Sequence, residues 1–226
     1  MDKKTPVIRD EDVDILLDTK YIKVADLRYA PGKHYYDVSR RSREDLLATK
    51  SDGEFRSTLP DAVTCIVIVR EKAKSERLLL SYEYRYPLGR FMLSPPAGLI
   101  DPEDRGCPDA LARCAVREIE EETGLKLKDT DRIFTVNPMV ISSPGFSDES
   151  NALVCAVADV EDLGCLDQSG AVGGELFDGF LLPDVSQAFS ILQLGRDPKG
   201  NPYPLQTWAA LMYFVSGLWK DPGRQN

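Results

Sequence analysis

Glu118, Glu121 and Glu122 are the residues of this chain whose type and spacing most directly suggest chemistry. They stand at i, i+3 and i+4, so a helix through them would put three carboxylates on one face. Like charges at that spacing repel and weaken a helix, so the arrangement calls for a counter-charge. Hard divalent cations take carboxylate oxygens, and Mg²⁺ typically combines a few carboxylates with waters and phosphate oxygens. Metal-assisted chemistry on a phosphorylated compound is therefore one reading of the run. A solvated acidic helix face is the other, and the run alone does not choose.

The element that must position these residues reads as a helix over 109–123, closed by Gly124 as its C-cap. Asp109 follows the turn-rich Arg105-Gly-Cys-Pro108 and is placed to be its N-cap. Leu111, Ala112, Ala115, Val116 and Ile119 form an adjoining apolar stripe, which would set the glutamates at the edge of a packed face. Strands are expected at 21–28 and 33–38, flanking the turn Ala30-Pro-Gly32. A polar connector follows over 39–57, with one short helical turn. Further strands are expected at 62–69, 77–84, 133–136, 153–160 and 177–182, with a short helix from Pro183 and a last one over 205–218. In that last helix Leu205, Trp208, Ala209, Met212 and Val215 recur on one face, which reads as core or subunit packing.

Composition bounds the partners. With 28 Lys and Arg against 37 Asp and Glu the net charge is −9, a balance that disfavours a general nucleic-acid binder. A phosphorylated small molecule stays compatible, because a bound divalent cation inverts the field locally. The 226 residues suit one medium domain with a small appendage. The five cysteines (65, 107, 114, 155 and 165) are odd in number and form no CxxC, so they read as free thiols, Cys65 and Cys155 as buried ones. The start carries no apolar stretch, and the apolar run 208–219 is well short of the ~20 residues of a membrane span. The expectation is a soluble cytoplasmic protein with no membrane partner. The lone His34, far from the glutamates in sequence, gives a Ser-His or Cys-His nucleophile little support.

The flanks of the glutamates resemble the Nudix box, whose pattern is Gly, five residues, Glu, seven residues, then Arg-Glu-aliphatic-x-Glu-Glu-x-Gly-aliphatic. Its second half matches at Arg117, Glu118, Ile119, Glu121, Glu122, Gly124 and Leu125, and its first Gly is Gly98. Two departures stand out. The box's first Glu falls on Asp109, and ten residues rather than five separate it from Gly98. Glu103, within that longer loop, is a candidate substitute. The resemblance implies that Glu118 and Glu122 are the main metal ligands, with Glu121 and the carbonyl of Ala97 completing the set. It gives Arg117 a structural role, pairing with the carboxylates and holding helix against loop.

Other segments resemble the ADP-ribose pyrophosphatase branch of that family. Glu83-Tyr-Arg-Tyr-Pro-Leu-Gly-Arg90 ahead of Pro96-Ala-Gly-Leu-Ile-Asp101 resembles its QYRxPxG…PAGLID run, and Ser143-Pro-Gly-Phe-Ser-Asp-Glu149 its SPGFSDE loop. By that resemblance Arg85 would contact phosphate, a task suited to a guanidinium fork, and Glu149 substrate or metal. Gly173-Gly-Glu175 resembles the loop that delivers the general base, so Glu175 would deprotonate the attacking water. The N-terminal strands resemble the branch's dimerisation region, from which Tyr35 or Tyr36 would stack a base and Arg40 or Arg41 meet phosphate. One misfit is Ser94, where the branch usually has Glu.

The implied fold is an α/β/α sandwich with a mixed sheet over 58–226, preceded by a small antiparallel β region over 1–57. The implied function is Mg²⁺-dependent hydrolysis, with Mn²⁺ as a substitute ion, of the diphosphate in a nucleoside diphosphate sugar such as ADP-ribose. The expected assembly is a homodimer. Two alternatives remain open: another nucleotide-sugar specificity, or a catalytically weak sensor that binds such a compound.

Overall fold

A computed structural model describes residues 5–71, 76–170 and 174–221. The chain divides into two compact units, residues 1–61 with 139–151, and residues 62–138 with 152–226.

The first unit holds a three-stranded antiparallel sheet in the order β1 (Val13–Asp18), β2 (Lys23–Ala30), β3 (Lys33–Ser39). Pro31 and Gly32 turn β2 into β3, and Gly32 takes a φ of 68°, which only glycine adopts cheaply. Val13, Ala25, Leu27 and Leu46 form its core. The expected connector contains two 3₁₀ turns (Arg43–Asp45 and Leu47–Thr49) and α1 (Asp52–Ser57). Helix α1 is short but opens on a full capping box, Ser51 with Glu54.

The second unit is built on a seven-stranded mixed sheet. Its main path is β10 (Phe177–Leu181), β5 (Glu76–Arg85), β4 (Ala62–Glu71), β9 (Ser150–Val160), β8 (Arg132–Ile141). Two short strands attach to it, β6 (Arg90–Ser94) to β5 and β7 (Ala97–Leu99) to β4. Strand alternation explains the layers. Val63, Cys65, Val67 and Val69 of β4 pack with Cys114, Ala115 and Ile119 of α2 (Ala110–Thr123). Ile66 and Ile68 pack on the other side with Ala188 and Ile191 of α3 (Val185–Leu194) and with Ala210, Leu211 and Phe214 of α4 (Leu205–Ser216). A sheet covered on both faces makes its central strands read as unbroken apolar runs rather than alternating ones. The result is the α/β/α sandwich, with the small antiparallel sheet as a separate unit.

Several expectations are corrected. The Trp/Met stripe of α4, expected to serve core or subunit packing, does not form core: Leu205, Trp208 and Met212 are exposed, and Thr207, Ala210, Leu211 and Phe214 point inward. A helix apolar on most of its circumference leaves the choice of buried face to its neighbours. In α2 the buried face is likewise rotated, so that Val116 is exposed and Cys114 packs. Asp109 occupies the cap position without a side-chain capping bond, while Gly124 closes the helix at φ 69°. All five cysteines are free, with Cys65, Cys114 and Cys155 buried. Among the described residues no helix is long and apolar enough to cross a membrane.

Candidate active site

Strand β7 and helix α2 hold the glutamates against backbone. Register pairs Ala97 of β7 with Thr64 of β4, and the Cys65 amide donates to the Pro96 carbonyl, fixing the Pro-Ala-Gly turn to the sheet. Gly98 then lies directly over Glu118: a Cβ there would sit 2.0 Å from the carboxyl carbon. The Ala97 amide donates to Glu122 Oε1 at 3.3 Å. Glu118 and Glu122 are 6% and 2% exposed, so they are buried acids and not an open acidic face. Glu121 is half-buried on the flank.

Arg117 ties this group together. Its guanidinium lies 2.6 Å from Glu118, 3.3 Å from Glu121 and 3.1 Å from Asp101, and it donates to the Leu99 carbonyl. One fork thus joins the box helix to the loop that follows β7. Glu103 in the longer box loop is exposed, so it does not replace the displaced acid of the box. The buried acid of that loop is Asp104, and it is bound to Arg113 at 2.9 Å, away from the glutamates' partners.

Glu175 is a charged neighbour of Glu83, Glu118 and Glu122. The Tyr84 amide donates to the Leu176 carbonyl, Tyr86 Oη donates to the Gly174 carbonyl, and Phe177 stands opposite Glu83 in the β10–β5 register. These bonds hold Gly174 to Phe177 along the end of β5. Gly173, which opens this loop, lies outside the described residues. Arg85 forms an ion pair with Glu83 at 2.5 Å.

Electrostatics register the crowding. Burial pushes the Glu122 carboxyl up to about 9, the charges of Glu83, Glu118 and Glu175 adding to it and the Ala97 amide opposing. Burial raises Glu118 to about 7, with Glu121 and Glu175 adding and Arg117 opposing. Glu83 is raised by burial and by Glu175, against the pull of Arg85. Buried acids that raise one another's pKa are the condition a cation relieves. Among the described residues no three His, Cys, Asp or Glu side chains are gathered in coordinating positions. The donor chemistry nevertheless fits a hard divalent ion: Glu118 and Glu122 present carboxylate oxygens beside main-chain atoms and would share such an ion with water or phosphate oxygens.

The remaining expected contacts lie in the first unit. Tyr35 Oη donates to the Gly145 carbonyl at 2.8 Å, and Arg40 Nε meets Glu149 Oε1 at 2.7 Å, so two expected substrate contacts pair with each other. Arg41 is corrected. It is 7% exposed and bound to Asp61, Ser150 and the Leu59 carbonyl, a buried structural network that leaves no guanidinium for phosphate. Tyr36 is exposed. The SPGFSDE loop is stitched to β3 through Val38 with Phe146 and Ser147, and through Asp37 with Asp148.

Sequence reasoning passed over Glu83, although it stood inside a quoted motif. Strand alternation would have found it, since Leu79, Ser81, Glu83 and Arg85 share a face.

This fold and this box define the class. A family model for the NUDIX domain matches residues 58–176, more than half of the chain, and the chain belongs to that family. Its relatives include the mouse (Mus musculus) ADP-sugar pyrophosphatase, 32% identical over 124 residues, covering 54% of this chain and 53% of the relative. The ADP-ribose pyrophosphatase of Saccharomyces cerevisiae is 28% identical over 130 residues, covering 56% and 50%. The chain thus spans about half the length of the curated relatives it matches. A solved structure described as an ADP compounds hydrolase shares the fold, with a TM-score of 0.58 and 19% identity over 98% of this chain and 97% of that one. Members of the family generally need divalent metal ions.

Proposed function

We propose that this protein hydrolyses the diphosphate bond of a nucleoside diphosphate sugar of the ADP-ribose type, with Mg²⁺ as cofactor, releasing a nucleoside monophosphate and a sugar phosphate. The observation that carries this reading is the buried pair Glu118 and Glu122, pressed against the Ala97–Gly98 backbone with Glu175 among their charged neighbours. The names of the mouse and yeast relatives support the substrate class.

In this reading Glu118 and Glu122, with Glu121 and the Ala97 carbonyl, hold Mg²⁺ or its substitute Mn²⁺. When bound, the ion supplies Lewis acidity that neutralises phosphate oxygens and makes a water more acidic. Glu175 accepts the proton of the attacking water. Arg117 keeps the box helix and its loop in register. Arg85 grips the diphosphate. Tyr35 stacks on the base, while Arg40 and Glu149 exchange their mutual pair for substrate contacts. The region 1–57 serves dimerisation ahead of the hydrolase domain 58–226, and the protein works in the cytoplasm on a small molecule.

The test is a panel of nucleoside diphosphate sugars incubated with Mg²⁺, with products separated by chromatography. Cleavage of an ADP-sugar to AMP and a sugar phosphate, stopped by EDTA, is the expected result. No cleavage of any member would sink the hydrolase reading.

A further inference from the structure

One face of β5 grades from apolar to charged. Leu79 lies in the core beneath α2, and alternation places Ser81, Glu83 and Arg85 on the same face. Cross-strand partners agree: Ser81 stands opposite Ser94 and Phe180, and Glu83 opposite Met92 and Phe177. Phe180 packs against that same core. Glu83 therefore points toward the box helix, with its side chain only 13% exposed. Of the charges around Glu122, that of Glu83 weighs most, and Glu175 is a charged neighbour of Glu83.

A further half-buried carboxylate beside Glu122 is costly unless its charge is used. Here its Oε2 is committed to Arg85 Nη2 at 2.5 Å. The Arg85 side chain is 39% exposed, long enough to sample many rotamers, and the ion pair to the next residue on its face confines it. A guanidinium carries five N–H donors, so binding Glu83 leaves others for a phosphate. We infer that Glu83 is a positioning residue, holding the Arg85 guanidinium beside the acidic cluster and so setting how tightly the diphosphate of the substrate is held before cleavage. The inference rests on the reading of Arg85 as a phosphate contact and deepens it.

The test compares the wild type with Glu83→Gln, Arg85→Ala and the double variant. KM and kcat are measured on whichever nucleoside diphosphate sugar the wild type cleaves, ADP binding in the presence of Mg²⁺ by calorimetry, and Mn²⁺ binding to the protein alone by electron paramagnetic resonance. The positioning role predicts that Glu83→Gln raises KM by about tenfold with kcat within about threefold, a loss of binding rather than of chemistry. It also predicts that the double variant is no worse than Arg85→Ala, and that ADP binding weakens by more than Mn²⁺ binding does. Should Glu83→Gln fold poorly, Glu83→Asp is expected to give the same split in smaller measure. Additive losses in the double variant, or an Mn²⁺ affinity lowered by Glu83→Gln as much as that for ADP, overturn the inference. If the wild type cleaves nothing, the hydrolase reading fails, and the ADP titrations still decide on Glu83 by the same additivity.

Discussion

At the scale of the residue, the determining feature is that two glutamates are buried where burial is costly. Glu122 accepts an amide N–H from Ala97 and otherwise faces other acids. Replacing it by Gln keeps the shape and the acceptor but removes the charge a divalent ion needs. Glu122→Gln is expected to lower kcat by at least about a hundredfold with Mg²⁺ while far-ultraviolet circular dichroism stays unchanged. Turnover within a fewfold of wild type would remove Glu122 from the metal set. A further buried acid lies in the first unit. Asp37 is raised to about 6, by burial first and then by the charge of Asp148. Among the described residues its Oδ2 and the Oδ1 of Asp148 have no hydrogen-bond partner. The sign follows from linkage. Between its ordinary value of 3.8 and about 6 the unfolded chain releases this proton while the folded chain keeps it, so stability falls as pH rises through that window and stays lowered above it. Asp37→Asn should flatten this dependence and stabilise the protein by roughly 1–3 kcal/mol at pH 7. Urea melts from pH 4 to 7 check it, and equal slopes for both proteins would refute it.

At the scale of the element, the site depends on how closely β7 approaches α2. Gly98 leaves no room for a side chain, because the Glu118 carboxyl fills that space. Gly98→Ala would push Glu118 aside or part the strand from the helix, at about 1–3 kcal/mol in stability and with loss of most activity. Thermal melts and a turnover assay on the same sample test both halves. Wild-type turnover in this variant would show that the contact does not position Glu118. In the first unit Arg41 joins the segment after β3 to Asp61 and Ser150, with Asp61 accepting also from the Ser150 amide. Arg41→Ala strands a buried carboxylate and should destabilise by about 3 kcal/mol, as measured by denaturant unfolding. A change below 1 kcal/mol would mean that the network is not structural.

At the scale of the whole molecule, the two units divide the expected work. The second holds the box, Glu83, Arg85 and Glu175, and the first holds Tyr35, Arg40 and Glu149. The N-terminal region exposes Leu16, Leu17, Tyr21, Tyr29 and Tyr36. Light scattering on the eluted protein is expected to give the mass of a dimer. A monomer would remove any contribution of a second copy to the site.

The box was legible from residues alone, because Arg117, Glu118, Glu121 and Glu122 keep a fixed spacing and a helix converts spacing into a shared face without help from the rest of the chain. The central strands were legible too, since burial on both faces requires unbroken apolar runs such as 62–69. Strands β1, β6 and β7 were not. Val13–Asp18 is punctuated by charges, and β6 and β7 are short segments parted by Pro95 and Pro96, so their pairing depends on a neighbouring strand and not on local pattern. The same holds for the buried face of α4, the withdrawal of Arg41 into an ion-pair network and the exposure of Glu103. Sequence by itself determined which residues can share a helix face. Only the tertiary structure decided which of them lose water, because burial is set by what packs opposite, and that brought Glu83 beside Glu122 although 39 positions separate them in the chain.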